Sequence, residues 1–292
     1  MNRKILMSML IMVCSILTPK VTAQDSLLIR KMYKSNGQHF QDPRAPRFLF
    51  IDREGKVALG IGGYVKGTMS VDMDGISDNL DFVTADIPAP RQTDMRNQFQ
   101  MDASTSRIFL KMVGSNTSVG NFTVYLESDF RGKNGHQYDL RLRQAFIQFG
   151  GWKFGKSRTT FSDGAASPPT IDFEGPSGTV STRNTMIQYS HKFGNHWSTA
   201  MSIEAPSASY TTDKKLSEAI KQRIPDIPTY IQYAWDGGKS HIRLSNLFRF
   251  LSYRNLEDGN SASHEPPSPM VPLPLRPSTL KVLQEQPVPE TP

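Results

Sequence analysis

Apolar and polar residues alternate with period two in nine separate stretches of the chain, and the connections between them differ sharply in length. The plainest case runs from Gln137 to Tyr189. Leu140 and Leu142 fall on one face of a strand, and Arg141 and Arg143 fall on the other. Side chains of a strand point to opposite faces in turn, so this segment sets an apolar face back to back with a cationic one. A two-residue turn at Gly150-Gly151 leads into the strand WKFGKSR. About twenty Pro-, Gly- and Ser-rich residues then precede the next strand, RNTMIQYS.

The same reading along the whole sequence places strands at Lys56–Asp72, Thr105–Val113, Val119–Phe130, Gln137–Phe149, Trp152–Arg158, Arg183–Phe193, His196–Glu204, Ile227–Trp235 and His241–Tyr253. In the first, Val57, Leu59, Ile61, Val65, Met69 and Val71 share a face. In the last, Ile242, Leu244, Phe248 and Phe250 oppose His241, Arg243, Ser245 and Arg249. The segment from Met73 to Gln100 reads as a long polar loop, and TDKKLSEAIKQR, within Ala205–Asp226, as a helical turn or two. The connections run long, short, modest, short, long, short, long, short. Short turns at one end and long loops at the other, joining strands of about 9–11 residues, predict an all-β fold: a transmembrane antiparallel up-and-down β-barrel. The competing architecture is a secreted or periplasmic β-sandwich serving as a binding or adhesion module. It would bury the apolar face against a second sheet and behave as a soluble protein.

The N-terminus bears on the choice. Asn2-Arg3-Lys4, the apolar run Ile5–Leu17 and the small residue Ala23 before Gln24 describe a secretory signal peptide over 1–23,. The run is too short for a membrane helix, which needs about 20 apolar residues, and no later segment supplies one. Cys14 is the single cysteine and lies inside this leader, so zinc–cysteine sites, disulfides and thiol nucleophiles are excluded from the processed chain,. Removing Arg3, Lys4 and Lys20 from the formal charge of +7 leaves +4. That is mildly basic, with no lysine-rich run of the kind that binds nucleic acid. Residues 24–54 read as a periplasmic lead-in with a short helix around Ser26–Tyr33, and 55–258 as a partial barrel. From 259 to 292 the alternation is lost. Prolines make up nearly a third of the stretch from His264 on, which suits neither strand nor helix,. We expect a reading frame broken near Asn260, with a disordered Pro-rich tail as the alternative.

Candidate chemistry is sparse. The six histidines are scattered, with no H-E-x-x-H and no G-x-S-x-G nucleophile elbow,. GIGGYVKG lacks the spacing and the following helix of a phosphate loop, and DMDG has too few ligands for calcium. His196 and Ser198 come closest to a catalytic pair, with nothing to orient them. No enzyme activity, metal or cofactor is expected. Positive charge is better organised: Arg107, Lys111, Arg141, Arg143, Arg243 and Arg249 all fall on the polar faces of their strands. A cation facing lipid near the membrane midplane costs roughly 2–4 kcal/mol, so these side chains belong in a lumen. A basic lumen favours anions over cations.

The string LRLRQAFIQFGGWKFGKSRTTFSD, followed by PPTIDFEGPSG and RNTMIQYSHKFG, resembles the DcaP-like trimeric porins of Gram-negative outer membranes. A Gly-x-x-x-x-x-Phe-x-Asp element is matched at Gly155, Phe161 and Asp163, and an inserted loop carries Ile171–Pro176. The resemblance covers roughly Phe48 to Leu256. It implies about sixteen strands, association into homotrimers among outer-membrane lipid, and passive uptake of small anionic, dicarboxylate-like solutes. Arg158 and Arg183 flank the inserted loop and are the candidates for a constriction, with Asp163, Asp172 and Glu174 as an opposing acidic set. The alternative is that these charges tie the loop to the wall.

Overall fold

The computed structural model describes residues 28–29, 31–32, 48–75, 87–90, 94, 96–132, 138–167, 180–207, 217–238 and 240–255. Ten strands form one antiparallel meander: β1 (Phe48–Ile51), β2 (Val57–Tyr64), β5 (Arg107–Thr117), β6 (Gly120–Asp129), β7 (Arg141–Phe149), β8 (Trp152–Arg158), β9 (Arg183–Phe193), β10 (Trp197–Glu204), β12 (Ile227–Trp235) and β13 (Ser240–Phe248). Each pairs only with its neighbours in this order, as an up-and-down wall requires. Two small hairpin-like sheets lie beyond it: β3 (Thr68–Asp72) with β4 (Gln98–Asp102), and β11 (Ser217–Ala219) with β14 (Tyr253–Asn255).

All nine stretches of alternation are strands, with three differences of detail. The apolar run at Phe48–Ile51, which the sequence places in the lead-in, is a strand that pairs with β2. The long first stretch divides after Tyr64: β2 stays in the wall, whereas β3 leaves it to pair with β4, inside what reads as a polar loop. Within the segment expected to be helical, residues 217–219 form β11 instead. Short ladders of this kind have no pattern long enough to show a period.

Where the chain must turn tightly, glycine provides it. Gly150 takes φ 56° and Gly194 φ 59° at the β7–β8 and β9–β10 turns. These turns lie at the same end of the sheet as Thr117–Gly120 and Asp236–Gly238, and we call this the short-turn end.

The two faces differ in kind. Along β5, Arg107, Phe109, Lys111 and Val113 are buried, while Ile108 is 53% exposed and Leu110 40%. The exposed face continues through Leu126, Leu142, Ile147, Ile187, Met201, Ile203, Ile231, Ile242 and Leu244. Among the described residues no second sheet covers it. The inner face holds the polar set, including Arg107, Glu127, Asn184, Gln188, Ser202 and Glu204. A soluble sandwich inverts this arrangement, with its apolar face inside. An outward apolar face and an inward polar one are what a lipid-facing wall requires.

Near the short turns, the outer face carries linked aromatic rings: Phe149 with Phe154, Trp152 with Tyr189, and Trp197 with Tyr233 at 4.9 Å between centroids. Of these, Trp152, Tyr189, Trp197 and Tyr233 are the amphipathic rings that favour a membrane–water interface,.

Candidate functional site

The inner face near the long-loop end is organised around Glu127 on β6, whose side chain is wholly buried. A β-bulge makes this centre. The β6–β7 ladder pairs Glu127 with Gln144 and Ser128 with Leu142, leaving Arg143 as the extra residue of β7. A bulge sets two consecutive residues against one and re-aims their side chains. Arg143 and Gln144 accordingly both reach Glu127: Arg143 Nε donates to Oε1 at 2.8 Å, and Gln144 Nε2 to Oε2 at 3.0 Å. Tyr125 Oη donates to Oε2 at 2.9 Å, and Arg107 Nη1 lies 3.4 Å from Oε1. One residue pair further, Asp129 takes a two-pronged contact from Arg141, 2.9 and 2.7 Å, and a third from Arg143 at 2.7 Å. Among the described residues, three guanidinium groups thus share two carboxylates.

Arg158 and Arg183 are cross-strand partners where β8 and β9 leave the wall for the inserted loop. Neither has a carboxylate partner among the described residues, and Arg183 Nε is buried without a hydrogen bond. Arg183 lies within electrostatic reach of Arg143, Arg158, Arg107 and Glu127. Arg143, Arg158 and Arg183 thus lie close together, like charges gathered on one patch of the wall.

The first residues of the inserted loop run along the inner face and are fixed there. Glu204, at the end of β10, accepts from Thr160 N at 2.8 Å, Ser202 Oγ at 2.8 Å and Asn184 Nδ2 at 2.9 Å. Gln188 Nε2 donates to Thr160 Oγ1, and Arg243 Nη2 to the Thr160 carbonyl. The Arg243 guanidinium also stacks on Tyr230, 3.6 Å from its ring centroid. Asp163 lies 2.7 Å from His241 Nε2, and Arg243 Nη1 approaches its other oxygen at 4.0 Å.

The residues singled out from sequence therefore separate into groups. Arg107, Arg141 and Arg143 meet in one network with Glu127 and Asp129, two acids whose part the alternation does not announce. Arg158 and Arg183 come together beside that network. Arg243 and Asp163 meet at β13, where Asp163 binds the wall; for this residue the tying reading describes the geometry. Arg249 follows the end of β13 and is paired with Asp226 at 2.6 Å, closing the stem of another connection. Lys111 lies nearer the short-turn end, and its Nζ donates to the Met32 carbonyl at 2.8 Å. Asp172 and Glu174 lie outside the described residues. His196 Nδ1 meets the Ala234 carbonyl at 2.8 Å.

Comparison with known proteins agrees with this architecture. The sequence profile of the Porin subfamily matches residues 55–243. The chain belongs to the porin subfamily. Among solved structures, this porin is similar to the outer membrane channel DcaP of Acinetobacter baumannii, with a TM-score of 0.58 and 18% identity. The match covers 71% of this porin and 56% of that channel, so the chain spans little more than half the length of the protein it resembles. No curated relative matches the sequence. The fold is that of an outer-membrane β-barrel, and the outer membrane of a Gram-negative bacterium is its location.

Proposed function

We propose that this porin forms part of the wall of a passive diffusion channel for small anionic solutes, with dicarboxylates as the type class, in a homotrimer. One observation carries the anionic preference. Arg158 and Arg183 stand side by side, free of carboxylate partners among the described residues, next to the network of Arg107, Arg141 and Arg143 with Glu127 and Asp129. In a narrow conduit with low-dielectric walls, uncompensated cations lower the barrier for anions and raise it for cations. No side chain needs to move or react for this.

The experiment is a reversal-potential measurement in planar bilayers under a salt gradient. The native channel should favour the anion, and the double variant Arg158→Glu/Arg183→Glu should move the potential toward cation preference. A native channel that favours cations, or a double variant with unaltered potential, would refute the proposal. Assembly is read separately, as the mobility of the unheated protein beside the heated one.

A further inference from the structure

A second feature of the inner face lies at the other end of the wall and has no part in the arginine site. Residues 28–29 and 31–32 are helical, and Leu28 and Met32 are completely buried. They pack against Ala58 of β2 and Val113 of β5, with Leu49 of β1 alongside. Ala58 and Val113 are register partners, and Leu49 pairs with Gly60, the partner of Lys111. Val113 shares its face with the buried Arg107, Phe109 and Lys111, while Ile108 and Leu110 occupy the other. The helical turn therefore rests on the luminal side of the wall.

Its polar contacts fix both its height and its orientation. Lys111 Nζ donates to the Met32 carbonyl at 2.8 Å, a cation placed where a helical turn presents unsatisfied carbonyls,. Lys31 Nζ donates to Ser115 Oγ at 2.9 Å and to Asn121 Oδ1 at 3.1 Å. Ser115 and Asn121 flank the Thr117–Gly120 turn, so the helix docks at the short-turn, periplasmic end. Both partners of Lys31 are neutral, and its charge meets no carboxylate among the described residues. Lys111 stands four residues along β5 from Arg107, about 13 Å at the rise of an antiparallel strand.

We infer that the helical turn of Leu28 and Met32 is a luminal plug: docked on β2 and β5, it narrows the periplasmic half of the conduit and presents Lys31 as a second cationic station. The apolar contacts of Leu28 and Met32 hold the plug down, and the Lys111 bond sets its register. A solute that passes the arginines at one mouth meets a narrower and again positive passage at the other. The docking stands on its own contacts; its effect on permeation rests on the channel reading above.

Two measurements test the two parts. In the full chain carrying Cys14→Ser, the pair Met32→Cys/Val113→Cys should form a disulfide on oxidation of outer-membrane fractions. It is read as a mobility shift that a reductant reverses. The pair Met32→Cys/Leu110→Cys, with its second cysteine on the lipid face, should not. Failure of the first pair in a heat-modifiable, membrane-inserted protein, or equal crosslinking of the second, would remove the plug whatever the protein conducts. In bilayers, Leu28→Glu/Met32→Glu should raise unitary conductance, and Lys31→Glu should weaken anion preference. Unchanged conductance in the double variant would show that the docked turn does not narrow the path. A native protein that conducts nothing while the first pair still crosslinks would instead count against the channel reading.

Discussion

Two residues show how closely the inner wall is determined. Glu127 is wholly buried and is the shared partner of Arg107 and Arg143. Removing one member of a buried ion network leaves the others charged and unpaired, at a cost of about 3–5 kcal/mol. Glu127→Ala should therefore lower the temperature at which the folded, fast-migrating band disappears. The same variant removes a negative charge from the inner face, so on the proposed channel reading the reversal potential of surviving channels should shift toward the anion. Gly155 makes the opposite point, since its role lies in the side chain it lacks. It sits at φ 119°, and a Cβ there would run into the Ala145 carbonyl on β7. Gly155→Ala should destabilise the β7–β8 hairpin by about 1–3 kcal/mol, visible as the same loss of heat resistance, with selectivity intact in whatever folds. The sequence shows this glycine within a motif but not its reason, because the clash lies across the sheet. Alternation alone places the arginines together on one polar face,. Their pairing with Glu127 and Asp129 is not legible in this way, because a one-residue bulge changes which side chains meet, and no periodic pattern encodes it.

The start of the inserted loop lies along the inner face of the wall. Its stem is closed by the bond from Thr159 N to the Thr182 carbonyl at 3.0 Å, and Ser162 Oγ reaches the Val180 carbonyl. Its seat on the wall depends on Glu204, a buried carboxylate that collects three donors from Thr160, Asn184 and Ser202. Hydrogen bonds to a charged acceptor are each worth about 1.5–3 kcal/mol, and their loss leaves buried donors empty. Glu204→Ala should release the start of the loop while the strands persist. Limited proteolysis of intact cells should then cut within residues 159–167 in the variant and spare the native chain. If both resist equally, Arg243 and His241 suffice to hold the loop. Elements on this scale are only partly readable from sequence. Long strands declare themselves through eight or more alternating positions, whereas β1, β4 and β11 are three to five residues long and are strands because a partner lies beside them.

Across the whole molecule, the orientation of the sheet is the property on which everything else depends. The exposed apolar face of the wall, from Ile108 and Leu110 through Ile147, Ile187 and Ile203 to Ile242 and Leu244, would be an aggregation hazard on a protein surrounded by water,. In a bilayer the same face is at rest, and the buried polar side is the part that needs a solvated interior. The sequence makes the two-faced character of the sheet legible, because a membrane strand must keep its phase along its whole length. Alternation does not say which face is inside: a sandwich reads the same until the burial of each face is known. The inner arginines, ion-paired and turned away from Ile108 and Leu110, are what supports the luminal direction. A charge placed on either face provides the physical test. Arginine at the midplane of the lipid face costs roughly 2–4 kcal/mol, while the same residue in a watery lumen costs little. Ile187 and Gln188 are neighbours near the middle of β9, the first exposed and the second buried on the inner face. Ile187→Arg should thus reduce the amount of folded protein in the outer membrane and lower its heat resistance, whereas Gln188→Arg, at the cost of the bond to Thr160, should still insert and shift the reversal potential toward the anion. The reverse ranking would mean that the sheet faces the other way, and the luminal assignments of the arginines and of the docked helix would fall with it.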